Sequence, residues 1–187
     1  FAPPGRHEER LDAEQAQLGW SWPSLPPGHA LADAQALAVT ILGDGPDSRL
    51  FDEVREARGL AYQVDAALHE APDAAWTTVT AQATSRQVDR VVRTVEEQLA
   101  RLQDGVSEDE LAWARLRHRA AAAETAETTS GRAWQLARDL LLLGRVRSLR
   151  DRLDAWSVPT RAMLAEAVAA APPHRATAYL GRPRGPA

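Results

Sequence analysis

The sequence predicts an α+β fold, a largely antiparallel sheet packed against a layer of helices. Two observations carry that prediction. Apolar positions alternate with period two in only a few short stretches, near the start, in the middle and close to the end, while longer stretches repeat with the helical period of 3.6. The helical stretches also follow one another in runs and are not interleaved one for one with strands, as a parallel βαβ fold requires. With 187 residues, the chain can bury one good core but not two large ones.

Residues 1–12 are rich in proline, glycine and charge and read as a linker or arm. Residues 13–182 read as a single domain, and 183–187 as a tail. Within 13–22, Ala16, Leu18, Trp20 and Trp22 alternate as in a half-buried strand, which Pro23, Pro26, Pro27 and Gly28 then end. Over 29–42, Leu31, Ala34, Ala38, Ile41 and Leu42 mark one buried helix face. The loop Gly43-Asp44-Gly45-Pro46 cannot continue that helix. Asp47 or Ser48 is placed to cap a short helix that turns Leu50, Phe51 and Val54 inward and ends at Gly59.

Residues 62–68 and 76–83 read as two strands of a hairpin around Pro72-Asp73. The helix over 86–103 has the clearest stripe, Val88, Val91, Val92, Val95, Leu99 and Leu102. Ser107 and Glu110 form a capping box for the next helix, which runs to about residue 127. Its expected buried side carries Trp113, Leu116, Ala120 and Ala123. Helices over 131–143 and 149–156 follow, then one opened by Pro159 at its first turn. Residues 176–180 form the last candidate strand.

Composition excludes several function classes. The net charge is −4 and the pI about 5.8, so the chain has no electrostatic footprint for nucleic acid. There is no cysteine, hence no disulfide and no thiolate metal site. No apolar run approaches the roughly 20 residues of a membrane span. The N-terminal residues lack the apolar core of a signal peptide, and we expect a bacterial cytoplasmic protein. The chain starts with Phe rather than Met, from which we expect a piece of a longer polypeptide.

Residue chemistry is sparse. His7, His29, His69, His118 and His174 are scattered, no two at the i, i+4 spacing of a helical metal site, and they read as exposed or capping histidines. The glycine turn before the short helix lacks the Lys-Ser/Thr of a phosphate loop, and Asp44 and Asp47 would repel an anion. Its glycines, Gly43 and Gly45, are expected to leave the backbone open to another extended chain. Glu53, Glu56 and Arg49 read as a solvated helix face, and the six tryptophans as core or interface residues. Arg55 and Tyr62 stand seven apart with a glycine between them, one leaving a helix and one entering a strand. A guanidinium can hold a peptide carbonyl, and a phenol can donate to a developing oxyanion. On local physics alone, an ordinary surface arginine and a strand-starting tyrosine are the better description of the pair.

The stretch Gly43-Asp-Gly45, Ser48-Arg49-Leu50-Phe51, Arg55-Glu56 and Gly59-Leu60-Ala61-Tyr62 resembles the signature of the pitrilysin/insulinase family of zinc peptidases. The match is to the C-terminal, non-zinc-binding domain, of the kind found in mitochondrial processing peptidase. GVSEDELAWAR at 105–115 and WSVPT at 156–160 extend the likeness. The resemblance implies a metallohydrolase-like domain that closes a proteolytic chamber. Arg55 would bind substrate backbone and Tyr62 would stabilise the oxyanion, with Gly43 and Gly45 beside the peptide. Zinc and a general-base glutamate would come from a partner domain or chain, since no H-x-x-E-H occurs in this one. The assembly would be a homo- or heterodimer acting on a peptide, away from membranes. The alternative it implies is a catalytically inert structural subunit of the same fold, as in respiratory-complex core proteins.

Overall fold

The computed structural model describes residues 15–171, together with the backbone of two strands, Gly5–Glu9 and Ala176–Leu180. The strands are β1 (Gly5–Glu9), β2 (Gln15–Ser24), β3 (Gln63–Ala71), β4 (Ala74–Thr84) and β5 (Ala176–Leu180). They make one five-stranded sheet in the order β1-β5-β2-β4-β3. β1 and β5 run parallel, and every other neighbouring pair is antiparallel. The helices are α1 (Ala32–Gly43), α2 (Val88–Gln103), α3 (Glu108–Ala126), α4 (Thr129–Leu143), α5 (Leu149–Ala155) and α6 (Arg161–Ala170). The fold is the expected α+β one.

One face of the sheet is apolar because its strands alternate. Ala16, Leu18, Trp20 and Trp22 of β2 point the same way as Thr77, Val79, Ala81 and Ala83 of β4. They meet Leu37, Ile41 and Leu42 of α1, Val91 and Val95 of α2 and Leu164 of α6 in one core. The other face is polar, with Gln17, Ser21, Thr78, Thr80 and Gln82. The α2 stripe is buried as its spacing predicts, with Val92 packed against the edge of the core.

Three expectations change. Gly5–Glu9, read as part of the arm, pairs with β5 along its whole length. Edge strands bond through their backbones and tolerate charge, so the segment needs no apolar alternation. The tail at 183–187 and His174 lie outside the described residues. On α3 the buried residues are Leu111 and Ala114, with Trp113 partly packed, while Leu116, Ala120 and Ala123 face outward. An alanine-rich helix carries little contrast between faces, so its rotation is not written in its pattern. Finally, α6 starts at Arg161, two residues after Pro159: Thr160 is the N-cap, its hydroxyl accepting from the Met163 N–H.

Candidate functional site

The stretch from Gly43 to Tyr62 folds as a turn, a single tight helical segment and a return into β3. Gly43 lies in the last turn of α1, buried against Ala66 of β3. A side chain there would place its Cβ 2.7 Å from Ala66 Cβ and 2.9 Å from Ala66 N. This glycine therefore lets helix and strand touch, and it is not laid open to a second chain. Gly45 has φ +85°, and the Arg117 guanidinium lies close to where its side chain would be. Arg117 in turn donates to both carboxylate oxygens of Asp44, at 2.8 and 3.1 Å.

The next residues are tied down one by one. Ser48 is fully buried, and its hydroxyl donates to the Gly45 carbonyl at 2.6 Å, closing the turn. Its backbone carbonyl accepts the first helical bond, from the Asp52 N–H at 2.9 Å, but no side-chain cap bond opens Phe51–Glu56, so the expected cap by Asp47 or Ser48 is not made. Arg49 reaches the α2–α3 connection, donating to both oxygens of Glu110 (2.6 and 3.0 Å) and to the Gly105 carbonyl. Arg49 and Glu110 are therefore partners and not a solvated face. Burial pulls the Glu110 carboxyl up, but the hydrogen bonds from Arg49 and Ser107 outweigh it and bring its pKa down to about 2. Leu50 and Val54 are fully buried.

Phe51–Glu56 is π-helical: the Ala57 N–H bonds the Asp52 carbonyl five residues back at 2.7 Å. The following residues fold back on it. Gly59, at φ +56°, gives its N–H to the Arg55 carbonyl, and Leu60 gives its N–H to the Val54 carbonyl at 2.8 Å. The segment is also clamped to α2, with Arg58 bonding Thr94, Glu97 and Glu53, and Arg101 reaching Glu53.

Arg55 and Tyr62 leave this braced element at its two ends, and both face solvent. The Arg55 side chain is half exposed, its guanidinium lying 4.9 Å from the Phe51 ring centroid and 3.9 Å from Glu56. Tyr62 is 83 % exposed, and its backbone N–H bonds the Gln82 carbonyl of β4. Among the described residues its hydroxyl has no hydrogen-bond partner. Gly43, Ser48, Arg49, Leu50, Leu60 and Ala61 of the motif are buried or bonded, while Tyr62 and Arg55 are held out toward solvent, Arg55 beside the exposed Glu56 and the Phe51 ring. Short hydrogen bonds across Val54–Leu60 and Arg55–Gly59 fix their backbones relative to each other.

A groove of about 530 Å³ lies beside the free edge of β3, between α1, α3 and α4, and sequence reasoning missed it. His118 lines it, bonding Thr40 Oγ1 at 2.7 Å and packing on the Trp156 ring. The expectation of an exposed or capping histidine fails here. Burial holds the His118 imidazole down to a pKa of about 4, Asp44 opposing and Arg117 reinforcing. The spacing Leu111, Ala114, His118 along one helix face was the available signal. His69 is also engaged, stacked on Trp76 and bonded to Thr78, whereas His29 accepts from the Leu31 N–H at the start of α1. Burial raises the carboxyls of Asp33 and Asp65, which line the same groove. Among the described residues no three His, Asp or Glu side chains come together as metal ligands. The chain's described residues do not fit a zinc ion.

Residues 2–117 match the model of the "Peptidase M16 inactive domain" family. An uncharacterized zinc protease of Mycobacterium tuberculosis (strain H37Rv) is 38 % identical over 147 residues, covering 76 % of this chain and 33 % of that protein. The uncharacterized zinc protease YmxG of Bacillus subtilis is 29 % identical over 156 residues, covering 81 % and 38 %. The chain thus spans about a third of the length of these curated relatives. Among solved structures, a peptidase M16 inactive domain from Pseudomonas fluorescens superposes with TM-score 0.83 at 20 % identity, covering 96 % of this chain and 44 % of that one. A chain of complex III2 from Candida albicans superposes with TM-score 0.79 at 17 % identity, covering 94 % and 45 %. The chain belongs to the pitrilysin-type M16 peptidases, as their inactive domain.

Proposed function

We propose that this chain serves a zinc peptidase assembly as the domain that faces, but does not hold, the metal. Arg55 binds a backbone carbonyl of the peptide substrate, and Tyr62 donates its phenol proton to the oxyanion that forms as the scissile carbonyl is attacked. Zinc and the general-base glutamate sit on another domain or chain and supply the activated water. The observation that supports this reading is the contrast inside the motif. Ser48, Arg49, Leu50, Val54 and Gly43 are spent on the fold, whereas Arg55 and Tyr62 are presented outward from a braced element. Gly45 is half-buried beside the Arg117 guanidinium and Gly43 is packed against Ala66, and a bound peptide would lie beside the turn they shape.

The second reading is an inert structural subunit. It is favoured by the shared fold of the complex III2 chain, although a fold alone does not choose between the two roles. Purifying the chain with and without a zinc-bearing M16 domain, with metal analysis and a peptide-cleavage assay, tests the proposal. The isolated chain is expected to cleave nothing, with or without added zinc, and the mixture to cleave. A mixture that assembles but stays inactive, with an intact zinc site, favours the structural subunit.

A further inference from the structure

Between Val54 and Leu60 the motif has no packing of its own. Those two residues are buried, but Arg55, Glu56, Ala57, Arg58 and Gly59 are all exposed. Tyr62 is anchored apart from this stretch: it follows the buried Leu60 and Ala61, and its N–H is bonded to β4. Arg55 lies within it. The guanidinium of Arg55 sits beside Glu56 and the Phe51 ring, which belong to the same segment, so neither ties it to the rest of the fold.

Arg58 supplies the missing anchor. Its guanidinium donates to the Thr94 hydroxyl at 2.9 Å and pairs with Glu97 at 3.3 Å and Glu53 at 3.2 Å. Thr94 is buried, a hydroxyl set among Val91, Val95 and Leu99 on the apolar stripe of α2, so this bond is made against the body of the fold. The next residue, Gly59, gives its N–H to the Arg55 carbonyl. A short bonded path thus runs from α2 through Arg58 and Gly59 to the Arg55 backbone. Ion pairs as exposed as those Arg58 makes with Glu53 and Glu97 add little stability, so the arrangement serves geometry first.

We infer that Arg58 is a positioning residue for Arg55, holding the guanidinium where it meets the substrate backbone. The inference rests on the reading of Arg55 as the group that binds a substrate carbonyl. Arg55 holds the peptide before and during the reaction alike. Displacing it therefore weakens binding and leaves the chemical step, which belongs to Tyr62 and the zinc, in place.

The chain assembled with a zinc-bearing M16 domain, given a peptide substrate, tests this. Arg55→Ala should raise KM about tenfold or more, the scale of one hydrogen bond to a charged group, with kcat nearly unchanged. Arg58→Ala should raise KM about threefold or more in the same manner, and Arg58→Lys should fall between it and the parent. Thr94→Val keeps the shape of α2, removes the acceptor, and should shift KM in the same direction. Arg55→Ala combined with Arg58→Ala should show the KM of Arg55→Ala alone to within about twofold. Effects that multiply in the double variant overturn the inference, as does a folded, assembled Arg58→Ala complex with the parent's KM. Should Arg58→Ala fail to fold, a parental KM for Thr94→Val overturns it. A parental KM for Arg55→Ala overturns the reading of Arg55 itself, and the role of Arg58 with it.

Discussion

Gly43 packs against Ala66 with no room for a methyl group, because the nearest atoms include the strand's own backbone. Gly43→Ala is therefore expected to destabilise the fold by about 1–3 kcal/mol, the scale of overpacking a rigid contact. Urea unfolding measures it, and an unchanged midpoint would show that α1 and β3 can separate freely. Two other single residues make stability depend on pH. His118 has a pKa of about 4 in the fold against an ordinary 6.5, so the unfolded chain takes up that proton first. Its contribution is complete above pH 6.5 and is lost as the pH falls toward 4. Glu110 is held at about 2 against 4.5, so its contribution is complete above pH 4.5 and is lost as the pH falls toward 2. Stability should fall in two stages on acidification. His118→Gln should remove the upper stage and leave the lower; identical pH profiles for variant and parent would refute the assignment.

The best-marked element is α3, whose capping box is present in full: Ser107 accepts from the Glu110 N–H, and Glu110 accepts from the Ser107 N–H. Ser107→Ala should cost about 1 kcal/mol. Glu110→Ala should cost more, because it also strips Arg49 of its partner; equal losses in thermal unfolding would contradict that coupling. The existence of α3 and its cap were legible in the sequence because capping needs specific side chains at fixed offsets. Its rotation was not, because alanines do not distinguish inside from outside. The π-helical form of Phe51–Glu56 was hidden for a similar reason: a shift from i−4 to i−5 bonding has no residue signature, although it sets where Arg55 emerges. The strand Gly5–Glu9 was hidden by its charges, and the groove at His118 because it is built from α1, α3, α4 and β3 together. Arg55 and Tyr62 are legible only through the motif resemblance; their exposure and the bracing beneath them appear only in the fold.

At the scale of the molecule, the core lies on one face of the sheet, while Tyr62 stands just before the edge strand β3 and Arg55 in the helical segment that precedes it, both with exposed side chains. The described residues bring no metal site together, and the family is named for an inactive domain. The central claim, that Tyr62 stabilises the oxyanion of a neighbouring zinc site, is tested most directly by the kinetics of Tyr62→Phe. The variant would be assembled with a zinc-bearing M16 domain and given a saturating peptide substrate. Because Tyr62 is exposed and makes no hydrogen bond through its hydroxyl among the described residues, removing that oxygen should leave folding and assembly unchanged. The account predicts a fall in kcat of roughly 10²-fold or more, the scale of one lost oxyanion donor. A fully assembled Tyr62→Phe complex with the kcat of its parent would contradict it.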